Sequence, residues 1–371
     1  MIIGLYIQNH IQNLQVSLAQ KLKQKKHKVY CYSNNLLHVQ YLQKNFRKVF
    51  NKIEYSDINK FILNTVVKKS YKKKQLFYEK KLKTTYLDLL ASNRVYGIEY
   101  ALGAVNHPKH ELSQVNKKKI ISGLNDFFDY WLKQIQKKKI KILISAEKEH
   151  YFICKIAKIK YRALERSRLQ NYHYWTISPT KRIPGVFKAF KKIAKKNKKY
   201  IDTNKILKRA YDAEYLRRKR NIENFKLLTF FKKLFTIISK HFYAKLSHSK
   251  YSYNLISKIL LQIRMWHHFN FLEKNCTSLI QLINEKKKFV YYPLHTEPEP
   301  QILNNSPFFF FQEALIALIS RYLPSDHYLV VKESLVGIGR RDLNFYKKLK
   351  RFKNVIIADP LDEGVNVIKN S

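Results

Sequence analysis

Glycine and cysteine are both scarce in this chain of 371 residues, which contains 8 Gly and 3 Cys. Gly4 is the only glycine in the first strand-like segment, so the Gly-x-Gly-x-x-Gly fingerprint of dinucleotide-binding proteins is absent. The cysteines, Cys31, Cys154 and Cys276, are far apart, and none belongs to a Cys-x-x-Cys pair. Their spacing argues against a disulfide framework and against a zinc site.

Long apolar runs and closely paired aspartates are missing as well. No uninterrupted run approaches the roughly 18 apolar residues that cross a bilayer, and the start lacks the charged segment and cleavage site of a signal peptide. We therefore expect a cytoplasmic, reduced protein. The sequence has no Asp-x-Asp pair, which argues against a metal-bridged nucleotide-sugar site, so we predict neither a bound metal nor a resident cofactor.

Acidic residues are heavily outnumbered, because 26 Asp and Glu stand against 73 Lys and Arg, a formal net charge of +47. Clustered cations bind nucleic acids by releasing counterions from phosphates, so a basic, non-enzymatic nucleic-acid-binding protein is one interpretation. The other is a compositional bias toward Lys, Asn, Ile, Phe and Tyr, which we favour because lysines occur in every segment. We expect adhesion to anionic lipid surfaces rather than specific binding of nucleic acid.

The length and the 45% hydrophobic content suffice for the cores of two domains. The predicted elements at the start are a strand from Ile2 to Ile7, a helix from His10 to Lys25, a strand from Lys28 to Ser33 and a mostly helical stretch over residues 53–138. Gln8, Asn9 and His10 follow the first strand, where they form either a loop that contacts a substrate or a helix cap made by Asn9.

A carboxylate and an imidazole follow the next predicted strand, which runs from Ile140 to Ser145. Glu149 and His150 stand at the end of this strand, where side chains of a parallel sheet point toward a cleft, so we predict general acid or base roles for both. The alternative is that Glu147 and Glu149 only complement the positive N-terminus of the next helix, an effect of about 0.3–1 kcal/mol.

The most basic part of the chain is residues 178–251. Within it, residues 225–246 predict an amphipathic helix whose apolar face holds Leu227, Phe231, Leu234, Ile238 and Phe242. Such a helix either packs on its own domain or lies in a membrane interface. Trp266, His267 and His268 follow in the next helical segment, where adjacent histidines point to different faces and are predicted to be structural.

An apolar strand from Lys288 to Tyr292 ends at Pro293, which cannot donate a ladder hydrogen bond. The loop that follows carries His295, Glu297 and Glu299, and we predict these three as catalytic side chains. The pattern then repeats: helix from Ser306, strand from His327 to Lys332, loop from Glu333 to Arg341, helix from Leu343 to Phe352, strand from Asn354 to Ala358 and helix from Glu363 to Lys369. This alternation predicts an α/β class with a parallel Rossmann-like sheet.

The order of these motifs, from Tyr-Tyr-Pro-Leu-His-x-Glu-Pro-Glu through Val-Lys-Glu-x(3)-Gly to Ile-Lys-Asn-Ser, resembles the capsule polysaccharide biosynthesis family. That family is similar to transferases that add the acidic sugar keto-deoxy-octulosonate from a CMP-linked donor, and it has two Rossmann-like lobes of the GT-B type. The resemblance implies a glycosyltransferase of surface-polysaccharide assembly. It would transfer a sugar, with an acidic keto-sugar as one candidate, from a nucleotide sugar to a glycan or lipid-linked acceptor, peripherally on the cytoplasmic membrane.

The resemblance divides the chain into an acceptor lobe at residues 1–180, a basic helical connecting region at 181–285 and a nucleotide-sugar lobe at 286–371. The leaving nucleotide needs positive charge, for which Lys332, Arg340 and Arg341 are the candidates. Glu333 is a candidate for the ribose hydroxyls by resemblance.

Two departures from the family pattern weaken the implied activity. Family members carry His-Pro where this chain has Ser334-Leu335, and they continue past Ser371 into a further strand and a small-residue loop. We therefore expect an incomplete second lobe. A degenerate transferase that acts as a scaffold is an alternative to the active enzyme, beside the nucleic-acid-binding protein.

Overall fold

The computed structural model describes residues 1–8, 11–91, 93, 95–96, 106, 115–166, 172–179, 188, 222–223, 225–246, 254–297, 309 and 311–371. The chain divides into two compact units, Met1–Leu89 with Val115–Ala210, and Leu90–Gln114 with Tyr211–Ser371. Each unit combines a sheet of mostly parallel strands with helices, so the predicted α/β class is confirmed. No helix in the described part of the chain is long and apolar enough to cross a membrane.

The first unit is built on a six-stranded sheet with the strand order β3-β2-β1-β4-β5-β6. Its strands are β1 Ile2–Tyr6, β2 Lys28–Ser33, β3 Lys52–Tyr55, β4 Ile142–Ile144, β5 Lys160–Arg166 and β6 His173–Thr176. The first five run parallel, and β6 pairs with β5 in the antiparallel direction. Strands β1 and β2 are largely buried, which suits their continuous apolar residues.

Among the described residues, seven helices lie wholly or partly in the first unit: α1 Gln12–Gln24, α2 Leu36–Phe46, α3 Ile58–Asn64, α4 Tyr71–Leu82, α5 Tyr86–Ala91, α6 Lys117–Lys138 and α7 Lys148–Ile156. The longest, α6, buries a stripe of apolar side chains that includes Leu124, Phe128 and Trp131. Because these residues recur at intervals of three and four, they lie on one face of the helix and pack into the core.

The second unit contains a three-stranded parallel sheet in the order β7-β8-β9. Its elements are α8 Leu227–Leu246, α9 Leu255–Asn275, α10 Leu279–Asn284, β7 Lys288–Pro293, α11 Gln312–Tyr322, β8 His327–Lys332, α12 Leu343–Leu349, β9 Val355–Ile357 and α13 Gly364–Lys369. Phe269 and Leu272 of α9 share a core with Leu329 of β8 and Ile316 of α11. Helix α9 therefore packs against this sheet, although the sequence places it in a connecting region.

Most predicted strands agree with the structure to within one or two residues, and two were missed. The stretch predicted as mostly helical begins instead with β3 Lys52–Tyr55, which has a single buried residue, Ile53. The antiparallel β6 His173–Thr176 was not predicted either. Both are four-residue strands at the outer part of the sheet, where few apolar residues mark the pattern. The predicted helix start at Ser306 lies outside the described residues.

Lysine takes the place of glycine where helices end in a left-handed backbone conformation. Five lysines have positive φ between 50° and 59°: Lys26, Lys83, Lys139, Lys158 and Lys286. Glycine usually fills this position because it has no Cβ to clash. In this glycine-poor chain the lysine instead brings a positive charge to the negative end of the helix dipole, which offsets part of the steric cost.

Candidate functional site

The carboxyl ends of β1 and β4 form the switch point of the first sheet. Leu5 lies beside Ile144 in register, so the loops that follow these two strands begin side by side. From β1 the chain winds through β2 to β3 on one side, whereas from β4 it winds to β5 on the other. In open α/β sheets this divergence leaves a crevice at the strand ends, which is the usual place for a ligand.

Glu147 is a half-buried carboxyl group in the loop after β4. Burial, followed by the nearby charge of Glu149, raises the pKa of Glu147 to about 7, although a hydrogen bond from the Gln8 side chain works in the opposite direction. Gln8 belongs to the loop after β1, and its backbone N–H donates to Gln15 Oε1 at 2.8 Å. The two loops of the switch point therefore meet at this carboxyl group.

Two further carboxyl groups share the surroundings of Glu147. Burial raises the pKa of Glu149, and it also raises the pKa of Asp57, which follows β3 and caps α3 through the Asn59 N–H. The buried hydroxyl of Tyr6, which donates to the Ser56 carbonyl at 3.0 Å, is close enough to all three for their charges to raise its pKa further, after the effect of burial. The strand ends thus hold three carboxyl groups that resist ionisation.

Burial, rather than an ion pair, dominates the titration of these acids in the described part of the chain. Neither Glu147 nor Glu149 forms an ion pair in the part of the chain that the structure describes. The charge of Lys148 acts to lower the pKa of Glu149, but burial outweighs it. The Lys148 ammonium donates to the Asp88 carbonyl at 3.0 Å and lies 3.9 Å from the Asp88 carboxylate. A buried carboxyl group without a salt bridge keeps its proton to a higher pH, which favours proton exchange near neutrality.

His150 is a fully buried ring in the core of the first unit. It packs edge-on against Trp131, at 4.4 Å between ring centroids, and against Tyr6, at 4.6 Å. Burial lowers its pKa to about 3, so the ring is neutral near pH 7. Its Nδ1 is hydrogen-bonded to Ser145 Oγ at 2.7 Å. These contacts describe a packed side chain, and the catalytic role assigned to His150 stays a prediction.

The same serine–histidine arrangement occurs at the end of β2. Ser33 Oγ lies 2.9 Å from His38 Nδ1, and in both places the serine accepts the backbone N–H two residues later. Burial lowers the pKa of His38 as well. The spacing Ser-x(4)-His is therefore a local device that fastens a strand end to the first turn of the next helix, and it is visible in the sequence.

In the second unit, the predicted residues form a buried network centred on Arg341. The guanidinium donates to Glu297 Oε1 at 2.7 Å and to Glu333 Oε2 at 2.8 Å, and all three side chains are at most 3% exposed. Burial acts to lower the pKa of Arg341, but Glu333 and Glu297 outweigh it and raise the pKa. One cation thus serves two carboxylates in a region that excludes water.

Neighbouring polar groups complete this network and join the loops after β7 and β8. Tyr346 donates its hydroxyl to Glu333 Oε2 at 2.8 Å, and Gln312 donates to Glu297 Oε1. The hydroxyls of Thr296 and Ser334 lie 2.8 Å apart. Arg341 also donates to the His295 carbonyl. Because Glu297 lies in the loop after β7 and Glu333 in the loop after β8, their shared contact with Arg341 holds the two strand ends in one arrangement.

The other predicted residues of the second unit lie around this network. Lys332 donates to the Pro360 carbonyl at 3.2 Å, and the carbonyls of Arg340 and Arg341 accept from Asn106 at 3.2 and 3.0 Å. His295 is exposed, with its backbone N–H bound to Gln312 Oε1. Glu299 lies outside the described residues. The structure therefore brings His295, Glu297, Glu333 and Arg341 together, while their roles stay predictions.

Sequence reasoning missed the residues that surround Glu149. Glu147 was considered only as a complement to the helix N-terminus, and Asp57 was not singled out. A cue was present, since both acids directly follow a strand of the parallel sheet, but β3 itself was not recognised. Asn9 and His10, the other predicted loop residues, are not among the described ones.

Comparisons with known proteins found no match. No family model matches the chain, and neither a curated protein nor a solved structure matches it. The resemblance to the capsule polysaccharide family stays a prediction. Among the described residues, no group of three or more His, Cys, Asp or Glu side chains is arranged to hold a metal ion.

Proposed function

We propose that this protein is a nucleotide-sugar glycosyltransferase of surface-polysaccharide assembly, with the GT-B type of two-lobed architecture. The observation that supports it best is the carboxyl group of Glu147, whose pKa of about 7 suits proton exchange near neutral pH. Its place at the switch point of a parallel sheet is where α/β enzymes hold their substrates. In this proposal the first unit binds the glycan or glycolipid acceptor.

Glu147 is the proposed general base. Its ionised carboxylate takes the proton from the attacking hydroxyl of the acceptor, and the acceptor oxygen forms a bond to the anomeric carbon of the donor. The bond from that carbon to the nucleotide phosphate breaks, and the nucleotide leaves with the electron pair. Burial, and after it the charge of Glu149, keeps the pKa of Glu147 high, so the base is strong enough to accept a hydroxyl proton.

The second unit is the proposed site of the nucleotide sugar. Its loops after β7 and β8 are joined by the Arg341 network, which supports a rigid strand-end surface. We assign the phosphate contacts to Lys332 and Arg340 in preference to Arg341, because the guanidinium of Arg341 is buried and bound to two carboxylates. Lys332 supplies a point charge at the end of β8.

Transfer assays with CMP-linked and UDP-linked sugars and a lipid-linked acceptor test the proposal. Glu147→Gln is expected to lower kcat by about 100-fold or more, within the range typical of a lost general base. Glu313→Gln is the matched control, since this glutamate is exposed and pairs with Lys348 on the surface. The wild-type rate should rise with pH through an apparent pKa near 7, and this rise should vanish in Glu147→Gln.

Two outcomes would contradict the transferase. The first is the absence of transfer from every donor by a folded protein. The second is binding to DNA or RNA that shows sequence or structure preference and persists at physiological salt, which would favour the nucleic-acid-binding alternative supported by the charge of +47. Binding that is uniform and disappears with salt would be ordinary charge adhesion and would leave the transferase in place.

A further inference from the structure

Helix α8 exposes a continuous apolar stripe on the second unit. With 3.6 residues per turn, six of its apolar side chains fall within an arc of about 100°. All six are between 37% and 74% exposed: Leu227, Leu228, Phe231, Phe235, Ile238 and Phe242. Isolated exposed apolar residues are ordinary, but an aligned row of this kind marks an interaction surface.

The stripe is separate from the face that holds α8 on its own unit. Phe225, just before the helix, stacks on Phe269 of α9 at 4.2 Å between ring centroids, and Phe230 lies 6.1 Å from Trp266. Phe269 in turn belongs to the core around β8. Packing within the unit therefore uses a different side of α8, so the domain core does not account for the exposed stripe.

The charge of this helix is entirely positive. Residues 225–246 contain five lysines and no Asp or Glu. Lys226, Lys232 and Lys240 are exposed. The next helix, α9, carries a shorter exposed apolar row at Ile256, Leu260 and Ile263, and it has no acidic residue before Glu273. Exposed apolar rows on helical segments whose charges are lysine and arginine are complementary to a partner that has an apolar interior and a negatively charged exterior.

We propose that the α8 stripe docks on an anionic lipid bilayer, with its aromatic and aliphatic side chains in the boundary between headgroups and acyl chains and with Lys232, which is exposed and borders the stripe, on the lipid phosphates. A second copy of the chain fits this surface less well, because its own α8 would bring four more lysines and no carboxylate. The docking surface is independent of the proposed transferase activity.

Vesicle sedimentation with the full chain tests the stripe. Vesicles of phosphatidylglycerol mixed with phosphatidylcholine are compared with vesicles of phosphatidylcholine alone. The double variant Phe231→Ser/Phe235→Ser is expected to weaken partitioning into the anionic vesicles by about tenfold or more, because it removes two exposed aromatic side chains that the bilayer would bury. Leu76→Ser/Phe77→Ser is the matched control, since it removes a similarly exposed apolar pair from α4 of the first unit.

A fluorescent label distinguishes insertion from adhesion by charge. An environment-sensitive dye is placed on Phe235→Cys, in the stripe, or on Thr236→Cys, the next residue, which is exposed outside the stripe. Cys276 is replaced by serine in both, and Cys31 and Cys154 are buried. Anionic vesicles should shift the emission of the first label to the blue and leave the second nearly unchanged.

Three results would overturn the proposal. One is equal partitioning of the stripe variant and its control, with all binding removed by high salt, which would mean adhesion by charge alone. Another is the same emission change at both labelled positions. The third is oligomers of the wild type in solution that the stripe variant dissociates, which would assign the surface to a second copy of the chain.

Discussion

Acidic side chains stand at the strand ends of both units, but their surroundings are opposite. In the first unit, Glu147 and Glu149 have raised pKa values and no ion pair within the described residues. In the second, Glu297 and Glu333 share the buried guanidinium of Arg341. The same residue type at equivalent places in a parallel sheet therefore has two different physical states.

This difference separates a reactive group from a structural one. A carboxyl group with a pKa of about 7 exists in both protonation states near neutral pH, which general acid or base chemistry requires. A carboxylate held by an arginine, a tyrosine and a backbone N–H, as Glu333 is, stays in place and fixes the loops around it. The net charge of the chain does not predict the protonation state of an individual carboxyl group, because burial and the nearest hydrogen-bonding or charged partner determine it.

Removal of the shared cation is expected to have the largest effect. Arg341→Met leaves two carboxylates buried without compensation and should lower the free energy of unfolding of the second unit by about 3–5 kcal/mol. Hydrogen exchange of β8 and β9 during denaturant titration measures the loss. Arg340→Met is the control, because that side chain is less buried. Adding Glu297→Gln and Glu333→Gln to Arg341→Met should restore part of the stability, and no recovery would argue against the network.

Acid should destabilise the first unit through His150. The pKa of this buried ring is about 3 in the folded protein, against about 6.5 in the unfolded chain, so its stabilising effect is complete above pH 6.5 and is lost as the pH falls. From about pH 7 to about pH 5 the loss should be about 2 kcal/mol. Because His150→Gln lacks this loss, the difference in unfolding free energy between wild type and variant should change by about 2 kcal/mol between these two pH values in denaturant titrations, whatever the other groups contribute to the slope. The corresponding change for His38→Gln should be smaller. An unchanged difference would contradict the buried neutral ring.

A methyl group at Gly337 should disturb the second network. A Cβ at this position would lie 2.3 Å from Glu333 Oε1, and that oxygen is held by the Ser334 N–H. Gly337→Ala should therefore cost about 1–2 kcal/mol in the unfolding free energy, as overpacking does. Gly364→Ala, at the start of α13, is the matched control: its Cβ would lie 3.2 Å from the Tyr291 hydroxyl, so a small shift relieves the contact and the unfolding free energy should change little. Equal effects of the two substitutions would argue against a rigid Glu333.

The smallest effect expected is a gain in stability. The folded-state pKa of Glu147 is raised to about 7, so the folded protein holds a proton that the unfolded chain releases near pH 4.5, and stability falls as the pH rises through this window. Glu147→Gln removes that loss. The gain in unfolding free energy of the variant over the wild type should be about 1 kcal/mol larger at pH 8 than at pH 5, after allowance for partial exposure. Glu313→Gln should show no such difference between the two pH values.

The sequence predicted the buried strands well, and the site only in part. Strands β2 and β8 have the predicted bounds because their apolar residues are continuous and their ends carry polar or breaking residues. Loop positions after the strands were also predicted, so Glu149, Glu297 and Glu333 were singled out. The short edge strand β3 was missed, and with it the position of Asp57 beside the other carboxyl groups.

The sequence by itself determined the α/β class, the alternation of strands and helices, and which acids follow the strands. Only the tertiary structure decided which of those acids meet a cation, because Glu297 and Arg341 are 44 residues apart and come together through the fold. The same holds for α8, whose periodicity shows an apolar stripe but not which side the core covers. Burial and partners set pKa and exposure, and both depend on contacts between residues distant in the chain.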